Sequence, residues 1–291
     1  MKNIVWLIMV MIALLMSACG DVTTDVEEEA GQDKEQEQTT GKEEKEQPHE
    51  ENEESAYQET QDEQNQADSA EPVYRIDDET SSVIPIDEKA TEKVVLLTVD
   101  DVPDKYALEM ARTLEKLDAK AIFFVNGHFL DTSERQDALQ QIHEMGFEIG
   151  NHTNSHSYLP DLPEDEQKEE IVSLNDTVED IIGERPQFFR APNGANTDFT
   201  RQLAEDEDMV LMNWTYGYDY FEPYMDAEKL TEAMVTGKAP EVDVPHSLLK
   251  PGANLLMHDR EWTAAALEDI FSGLRDKGYK IVDPDAIQTR E

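Results

Sequence analysis

Residues 94–101 read Val-Val-Leu-Leu-Thr-Val-Asp-Asp, a short apolar run that ends in two aspartates. The six residues before the aspartates have the composition of a buried β-strand. Six similar runs follow along the chain, at residues 121–125, 148–150, 188–190, 209–214, 253–257 and 280–282. Amphipathic stretches with a helical period lie between the runs, at residues 105–117, 133–145, 164–182, 226–235 and 263–277. Seven strands that alternate with helices predict parallel pairing and an α/β fold.

Polar clusters follow four of these strands at their carboxyl ends. Asp100 and Asp101 come after the first strand, His152 after the third, Arg190 at the end of the fourth and His258 after the sixth. In α/β barrels this face of the sheet carries the active site. An open doubly wound sheet would instead place a ligand at one crevice. Contributions from several non-adjacent strands favour a closed or nearly closed barrel.

The segment 152–156 reads His-Thr-Asn-Ser-His, with two imidazoles four residues apart. That spacing lets both rings bind one metal ion, although it also recurs by chance on solvated surfaces. One of the two aspartates after the first strand is a candidate third ligand, and the other a candidate base. Capping of the next helix would account for only one of them. Two imidazoles and a carboxylate, with positions open for water, are typical of a catalytic zinc site.

Together the clusters resemble the motifs of the polysaccharide deacetylase family, the NodB homology domain of carbohydrate esterase family 4. The matching segments, in the family's order, are Thr98-Val99-Asp100-Asp101, His152–His156, Arg190-Ala191-Pro192, Trp214 with Asp219, and Leu256-Met257-His258. The third motif departs from the family, because Asn193 stands where tyrosine is usual. The resemblance covers roughly residues 90–285 and implies an α/β fold, a distorted (β/α)7–8 barrel of the NodB-homology type.

The resemblance also implies a role for each motif residue. Asp100 would be the general base, oriented by Arg190, and His258 the general acid, held by Asp219. The implied ligands of one divalent metal ion are Asp101, His152 and His156. We expect that ion to be zinc, with cobalt or another divalent ion as the alternative. The residues implied to contact the substrate are Asn193, Trp214 and Leu256, with the backbone N–H of Asn193 as an oxyanion donor.

Residues 1–19 predict a bacterial lipoprotein signal peptide. A lysine precedes an apolar run over residues 4–16, which is too short for a membrane span of about 20 residues. Cys19 is the only cysteine of the chain and directly follows small residues. This pattern resembles a lipoprotein signal, in which the cysteine is lipidated and anchors the mature protein to the membrane. A plain signal peptide with an incidental cysteine is the alternative.

Residues 20–75 predict an acidic disordered tether, and residues 76–291 the catalytic domain. Residues 21–70 contain 19 acidic residues and three lysines, and such a segment buries too little apolar surface to fold. The whole chain has a formal net charge of −43, which argues against nucleic acid as a partner. We expect the protein to be a monomer. The predicted lipid anchor at Cys19 would hold it at the cell membrane, facing the extracellular side or the cell wall.

The predicted activity is the metal-dependent hydrolytic removal of N-acetyl groups from an extracellular or cell-wall polysaccharide. Peptidoglycan or another N-acetylglucosamine polymer is the expected substrate. The alternatives are an O-acetyl esterase of the same family, acting for example on acetylxylan, a metal-capturing lipoprotein without catalysis, and an inactive glycan-binding module. The aromatic residues of segment 214–224 either line a substrate cleft or pack in the core, and the sequence does not decide between the two.

Overall fold

The computed structural model describes residues 71–290. The predicted signal peptide, with Cys19, and nearly all of the predicted tether lie outside these residues. The first strand begins at Tyr74, two residues before the predicted start of the catalytic domain. None of the helices within residues 71–290 has both the length and the apolar character needed to cross a membrane.

Two short strands, β1 (Tyr74–Ile76) and β2 (Val83–Pro85), form an antiparallel hairpin that the sequence did not predict. The seven strands that follow are the seven predicted ones: β3 (Val94–Val102), β4 (Ile122–Val125), β5 (Glu148–Asn151), β6 (Phe188–Phe189), β7 (Val210–Leu211), β8 (Ala253–His258) and β9 (Lys280–Ile281). They form one parallel sheet in the order β7-β6-β5-β4-β3-β8. β9 pairs with the first two residues of β3.

The sheet curls toward a barrel that is incompletely closed. The segment after β7 returns to the free edge of β8, where the N–H of Thr215 donates to the carbonyl of Asn254 at 2.7 Å. The N–H of Leu256 donates in turn to the carbonyl of Tyr216 at 2.9 Å. A single parallel bridge therefore replaces the strand that a regular barrel would have here. The predicted fold class, a distorted (β/α) barrel, is confirmed in this half-barrel form.

Six helices pack around the sheet: α1 (Ala107–Lys116), α2 (Ser133–Glu144), α3 (Glu164–Ile182), α4 (Asp198–Asp206), α5 (Ala227–Thr236) and α6 (Glu261–Asp276). Five of them are the predicted helices. The sixth, α4, has nine residues and begins with a capping box, in which Thr197 and Thr200 each accept a bond from the other's backbone N–H. The sequence did not predict α4, because nine residues are too few to show a clear helical period.

Side chains of β3 alternate between two apolar environments, because successive residues of a strand point to opposite faces. Val95, Leu97 and Val99 pack in the layer between the sheet and the helices. Leu96 packs with side chains inside the curled sheet, such as Phe124 of β4. Asp100 continues the inward-facing row of β3. Strand period thus directs this carboxylate into the barrel, at the end where the active-site motifs meet.

Candidate active site

A cavity of about 400 Å³ opens at the carboxyl ends of the strands. Of the ten predicted site residues between residues 71 and 290, nine line this cavity. The tenth, Arg190, is fully buried beneath it. Two further lining residues, Tyr220 and Arg260, were not among the predicted site residues. The motifs are far apart in sequence, and the fold brings all of them to one place.

A turn of the backbone brings both aspartates of the first motif to the cavity. The pairing of β3 with β4 shifts register between Val99 and Val102, and Asp101 has a φ of 63°. Adjacent side chains of a regular strand would point in opposite directions. The irregularity turns the side chain of Asp101 to the side already occupied by Asp100, so the two carboxylates can take separate roles in one site.

Arg190 is a fully buried cation that contacts the candidate base. Its Nη1 donates to Oδ1 of Asp100 at 2.6 Å and to Oγ1 of Thr98 at 2.8 Å. Its Nη2 donates to the carbonyl of Asn213 at 2.8 Å, and the guanidinium lies over the ring of Phe124. Burial lowers the pKa of Arg190, and the negative charge of Asp100 opposes that shift. The contact fixes one oxygen of Asp100 and leaves Oδ2 free to face the cavity.

The ring of His152 is oriented as a metal ligand. Its Nδ1 lies 2.7 Å from the carbonyl oxygen of Arg190, which can only accept, so Nδ1 carries the hydrogen. The lone pair is then on Nε2, the atom that faces the carboxylates, 3.5 Å from Oδ2 of Asp100. Burial lowers the pKa of His152, more than the nearby Asp100 raises it. A neutral imidazole with a fixed tautomer is the form that binds metal ions.

The three predicted metal ligands lie together. The candidate ligand atoms of Asp101, His152 and His156 are all within 4.8 Å of one another, and Nε2 of His156 is 3.6 Å from Oδ1 of Asp101. Ligands of a tetrahedral zinc ion are about 3.4 Å apart, given metal–ligand distances of about 2.0–2.1 Å. The residues therefore fit one divalent ion after small side-chain movements, and the chain leaves the remaining positions open.

Backbone strain is concentrated in these motifs. Eight non-glycine residues within residues 71–290 have a positive φ. Three of them, Asp101, His156 and Asn193, line the cavity, and a fourth, Thr153, lies between the two candidate ligand histidines. Thr153, at a φ of 69°, is the most unusual because its side chain is β-branched. Strained residues persist where surrounding contacts hold them, and they are common at functional sites.

His258 is paired with a buried carboxylate. Its Nδ1 lies 2.8 Å from Oδ1 of Asp219, and its backbone N–H donates to Oδ2 at 2.6 Å. Thr263 also donates to Oδ2 of Asp219. Burial lowers the pKa of His258, but Asp219, with Asp100 and Asp101 further away, raises it to about 9. The ring is therefore a cation at neutral pH, with Nε2 as the proton donor.

The aromatic segment divides between core and cavity. Tyr216 and Tyr218 are buried, and their hydroxyls donate to the backbone carbonyls of Met234 and Gly237. Trp214 and Tyr220 line the cavity, and Tyr220 meets the ring of His258 edge-on with centroids 5.6 Å apart. Both of the alternatives that the sequence left open thus apply, to different residues.

Asn193 occupies the mouth of the cavity in a left-handed conformation, with a φ of 57°. Asparagine adopts this region more readily than other non-glycine residues. Among the loop and turn contacts within residues 71–290, its N–H donates to no backbone carbonyl. It is available as the predicted oxyanion donor.

Arg260 lines the cavity and was not among the residues predicted from the sequence. Its Nη2 donates to Oδ2 of Asp101 at 2.6 Å, and its Nη1 to the carbonyl of Asp259 at 2.9 Å. The available signal was its position, two residues after His258 at the end of β8. A contact between residues 159 apart in sequence cannot be read from spacing.

Comparison with known proteins identifies the family. Residues 87–212 match the family described as polysaccharide deacetylase. A peptidoglycan-N-acetylglucosamine deacetylase of Bacillus cereus is 27% identical over 197 residues, 65% of this chain and 68% of that protein. Residues 87–212 are thus a polysaccharide deacetylase domain. The predicted enzyme class, a deacetylase hydrolase, is the class of this family.

Solved structures of family members include both an enzyme and a pseudoenzyme. The structure of the peptidoglycan deacetylase PdaC from Bacillus subtilis matches with a TM-score of 0.56 and 27% identity, over 66% of this chain and 89% of that one. A carbohydrate esterase family 4 pseudoenzyme from Bacillus anthracis matches with the same TM-score and identity, over 65% and 63% of the two chains. The match to the uncharacterized protein YlxY of Bacillus subtilis, at 27% identity, covers 61% of this chain and only 51% of that protein. Family membership alone therefore leaves catalysis to be argued from the site.

Proposed function

We propose that this protein is a metal-dependent deacetylase that hydrolyses N-acetyl groups of peptidoglycan or another N-acetylglucosamine polymer. The observation that carries the proposal is the meeting of a base, an acid and a ligand set around one cavity. Asp100 is held by Arg190 on one side, His258 by Asp219 on the other, and the three candidate ligands lie between them. One similar solved structure is that of a pseudoenzyme, so the fold alone does not establish catalysis and the proposal depends on these site residues.

The chain's own residues account for the proton transfers of amide hydrolysis. A divalent ion in the site would polarise the acetyl carbonyl and lower the pKa of a bound water. Asp100 would accept the proton of the attacking water through Oδ2, since Oδ1 is occupied by Arg190. The backbone N–H of Asn193 would donate to the developing oxyanion. His258 would then protonate the departing sugar nitrogen, which leaves as an amine while acetate is formed.

The alternative activity, hydrolysis of an O-acetyl ester, uses the same base and oxyanion donor. The cationic state of His258 favours an amide, because an amine is a poor leaving group unless it is protonated as the C–N bond breaks. The test is a panel of N-acetylglucosamine oligomers, peptidoglycan and acetylxylan incubated with the zinc-loaded protein. Acetate from the N-acetylated substrates with little from acetylxylan supports the proposal, and the reverse order would assign an esterase.

A metal-capturing lipoprotein would also need Asp101, His152 and His156. It would have no use for Asp100 or His258, which are not in the ligand set. The Asp100→Ala variant separates the two functions. Both predict that the variant still binds zinc. Only deacetylation also predicts that the wild type releases acetate and that the variant does not.

The proposed location is the outer face of the cell membrane, with Cys19 as the lipidated residue. The apolar run before this single cysteine and the acidic segment after it support the proposal. Metabolic labelling with a clickable fatty acid tests it. Label in the wild type but not in Cys19→Ala is the expected result, and an unlabelled wild type released into the medium would contradict it.

A further inference from the structure

Arg260 contacts a predicted metal ligand, and it chooses one oxygen of that ligand. Its Nη2 donates to Oδ2 of Asp101 at 2.6 Å, whereas Oδ1 of Asp101 faces Nε2 of His156 at 3.6 Å. The guanidinium thus hydrogen-bonds to the carboxylate oxygen of Asp101 that is not the one facing His156. The other oxygen remains for a metal ion, as in a carboxylate that binds through one oxygen and is hydrogen-bonded through the other.

The position of Arg260 in the chain is unfavourable for its helix. It is the N-cap residue of α6, and its side chain makes no capping hydrogen bond. N-cap positions favour serine, threonine, aspartate and asparagine, and a cation at a helix N-terminus is repelled by the helix dipole. A residue that breaks a local rule in this way is expected to have a role elsewhere. The contact of Arg260 with Asp101 is such a role.

The pairing of β3 with β8 brings the side chains of Asp101 and Arg260 close together. Asp100 and His258 are register partners, and the N–H of Asp259 donates to the carbonyl of Asp100 at 3.1 Å. The carboxylate of Asp259 then accepts the backbone N–H groups of residues 104, 105 and 106, at 2.5–3.0 Å. This anchors the loop that follows Asp101 to the strand end that carries Arg260. The Nη1 bond to the carbonyl of Asp259 orients the guanidinium.

We infer that Arg260 is a positioning residue for the metal site: it holds Oδ2 of Asp101 so that Oδ1 is presented, together with His152 and His156, to one divalent cation. The inference rests on the metal site of the proposed function. It assigns a role in metal affinity to a residue outside the family's motifs. Direct contact with the substrate is not required for this role.

The test is the affinity of the purified, chelator-stripped protein for zinc, measured without substrate by competition with a chromophoric chelator. Loss of a hydrogen-bonding partner of a metal ligand costs about 10- to 100-fold in affinity. Arg260→Gln should therefore weaken zinc binding by about that factor. Arg260→Lys should lose less, since it keeps the charge but not the planar fork that contacts both Asp101 and Asp259. Saturating zinc should restore most of kcat in both variants.

Arg185→Gln is the matched control. Arg185 has a similar exposure, 38% against 34% for Arg260, and its ion pairs lie at the other end of the sheet. This control should leave zinc affinity unchanged. Thermal unfolding of the metal-free proteins shows whether each variant is folded. If Arg260→Gln does not fold, Arg260→Lys carries the test, and weaker zinc binding at an unchanged Tm supports the inference.

Unchanged zinc affinity in a folded variant would overturn the inference, because Arg260 would then be only a structural ion-pair partner. Tighter zinc binding would also overturn it, since the arginine would then compete with the metal for Asp101. Failure of the proposed function is a separate result. A wild type that releases no acetate, but whose zinc affinity falls in Arg260→Gln, would contradict the deacetylase activity and leave the positioning role intact.

Discussion

The two ends of the parallel sheet carry acidic residues whose electrostatic surroundings differ. At its carboxyl end, in the active-site cavity, Asp100, Asp101 and Asp219 each contact an arginine or a histidine. At its amino end, Glu148 lines a second cavity of about 790 Å³, which we call the amino-end cavity. Burial and three neighbouring acidic residues, with no opposing cation, raise the pKa of Glu148 to about 8.

The pKa values of the two acidic clusters differ because of neighbouring charges more than because of burial. Asp101 is also desolvated by burial, yet the nearby His258 and Arg260 lower its pKa. Arg185 and Arg290 also line the amino-end cavity, but their guanidinium groups pair with carboxylates other than Glu148. A carboxylate that stays ionised can bind metal or accept a proton, whereas Glu148 is mostly protonated at neutral pH. The proposed chemistry is therefore assigned to the carboxyl end, where Asp101 has a lowered pKa.

Removal of the base should produce the largest effect. Asp100→Asn keeps the shape of the side chain and removes its charge, so it cannot accept the proton of water. General-base catalysis contributes about 10²- to 10⁴-fold, and kcat for acetate release should fall by that factor while zinc remains bound. A variant that retains zinc and more than half of the wild-type kcat would show that Asp100 is not the base.

Much of this comparison was readable from the sequence, but not all. The seven strands were predicted because each is a distinct apolar run, while β1, β2 and α4 are too short to show a period. The metal ligands and the base were predicted from the sequence motifs, because the chemistry needs those residue types at fixed places in the motifs. The contact between Arg260 and Asp101 and the position of Tyr220 at the cavity depend on strand register and on the path of the loops, which residue spacing does not encode.

The buried ion pair of the carboxyl end should matter far more for stability than the ion pairs of the amino end. Arg190→Gln leaves Asp100 buried without its cation, and breaking a buried pair in this way costs about 3–5 kcal/mol. Arg185→Gln, at a partly exposed network, should cost about 1 kcal/mol or less. Urea unfolding of both variants measures the difference, and equal losses would contradict the comparison.

The pH profile should report the pair of His258 and Asp219. Because the pKa of His258 is raised to about 9, its proton is available at neutral pH and is lost as pH rises through that value. Asp219→Asn removes the negative charge that does most to stabilise the His258 cation. The alkaline limb of the kcat–pH profile should therefore move toward the ordinary histidine pKa of about 6.5. Tyr220→Phe, which touches the same ring without a charge, should leave the limb in place. An unmoved limb in Asp219→Asn would exclude His258 as the titrating acid.

The smallest effect on activity is expected at the amino end. The pKa of Glu148 is raised in the folded protein, so its contribution to stability is present below the unfolded-state value of about 4.5 and is lost as pH rises through 8. Glu148→Gln should therefore unfold at higher urea than the wild type at pH 9, with no such gain at pH 4 and an unchanged kcat. Glu179→Gln, an exposed carboxylate of the same cavity, is the control and should show no gain at pH 9. A gain at pH 4 as large as at pH 9 would contradict the raised pKa.

Acetate release from peptidoglycan and N-acetylglucosamine oligomers, before and after removal of bound metal, tests the central claim most directly. The purified protein is stripped with a chelator, assayed, and assayed again after one equivalent of zinc or cobalt is added. We predict acetate from at least one N-acetylated substrate, its loss on stripping and its return with the metal. A protein that binds the metal and releases no acetate from any of these substrates would contradict the claim that the carboxyl end of the sheet is a deacetylase active site.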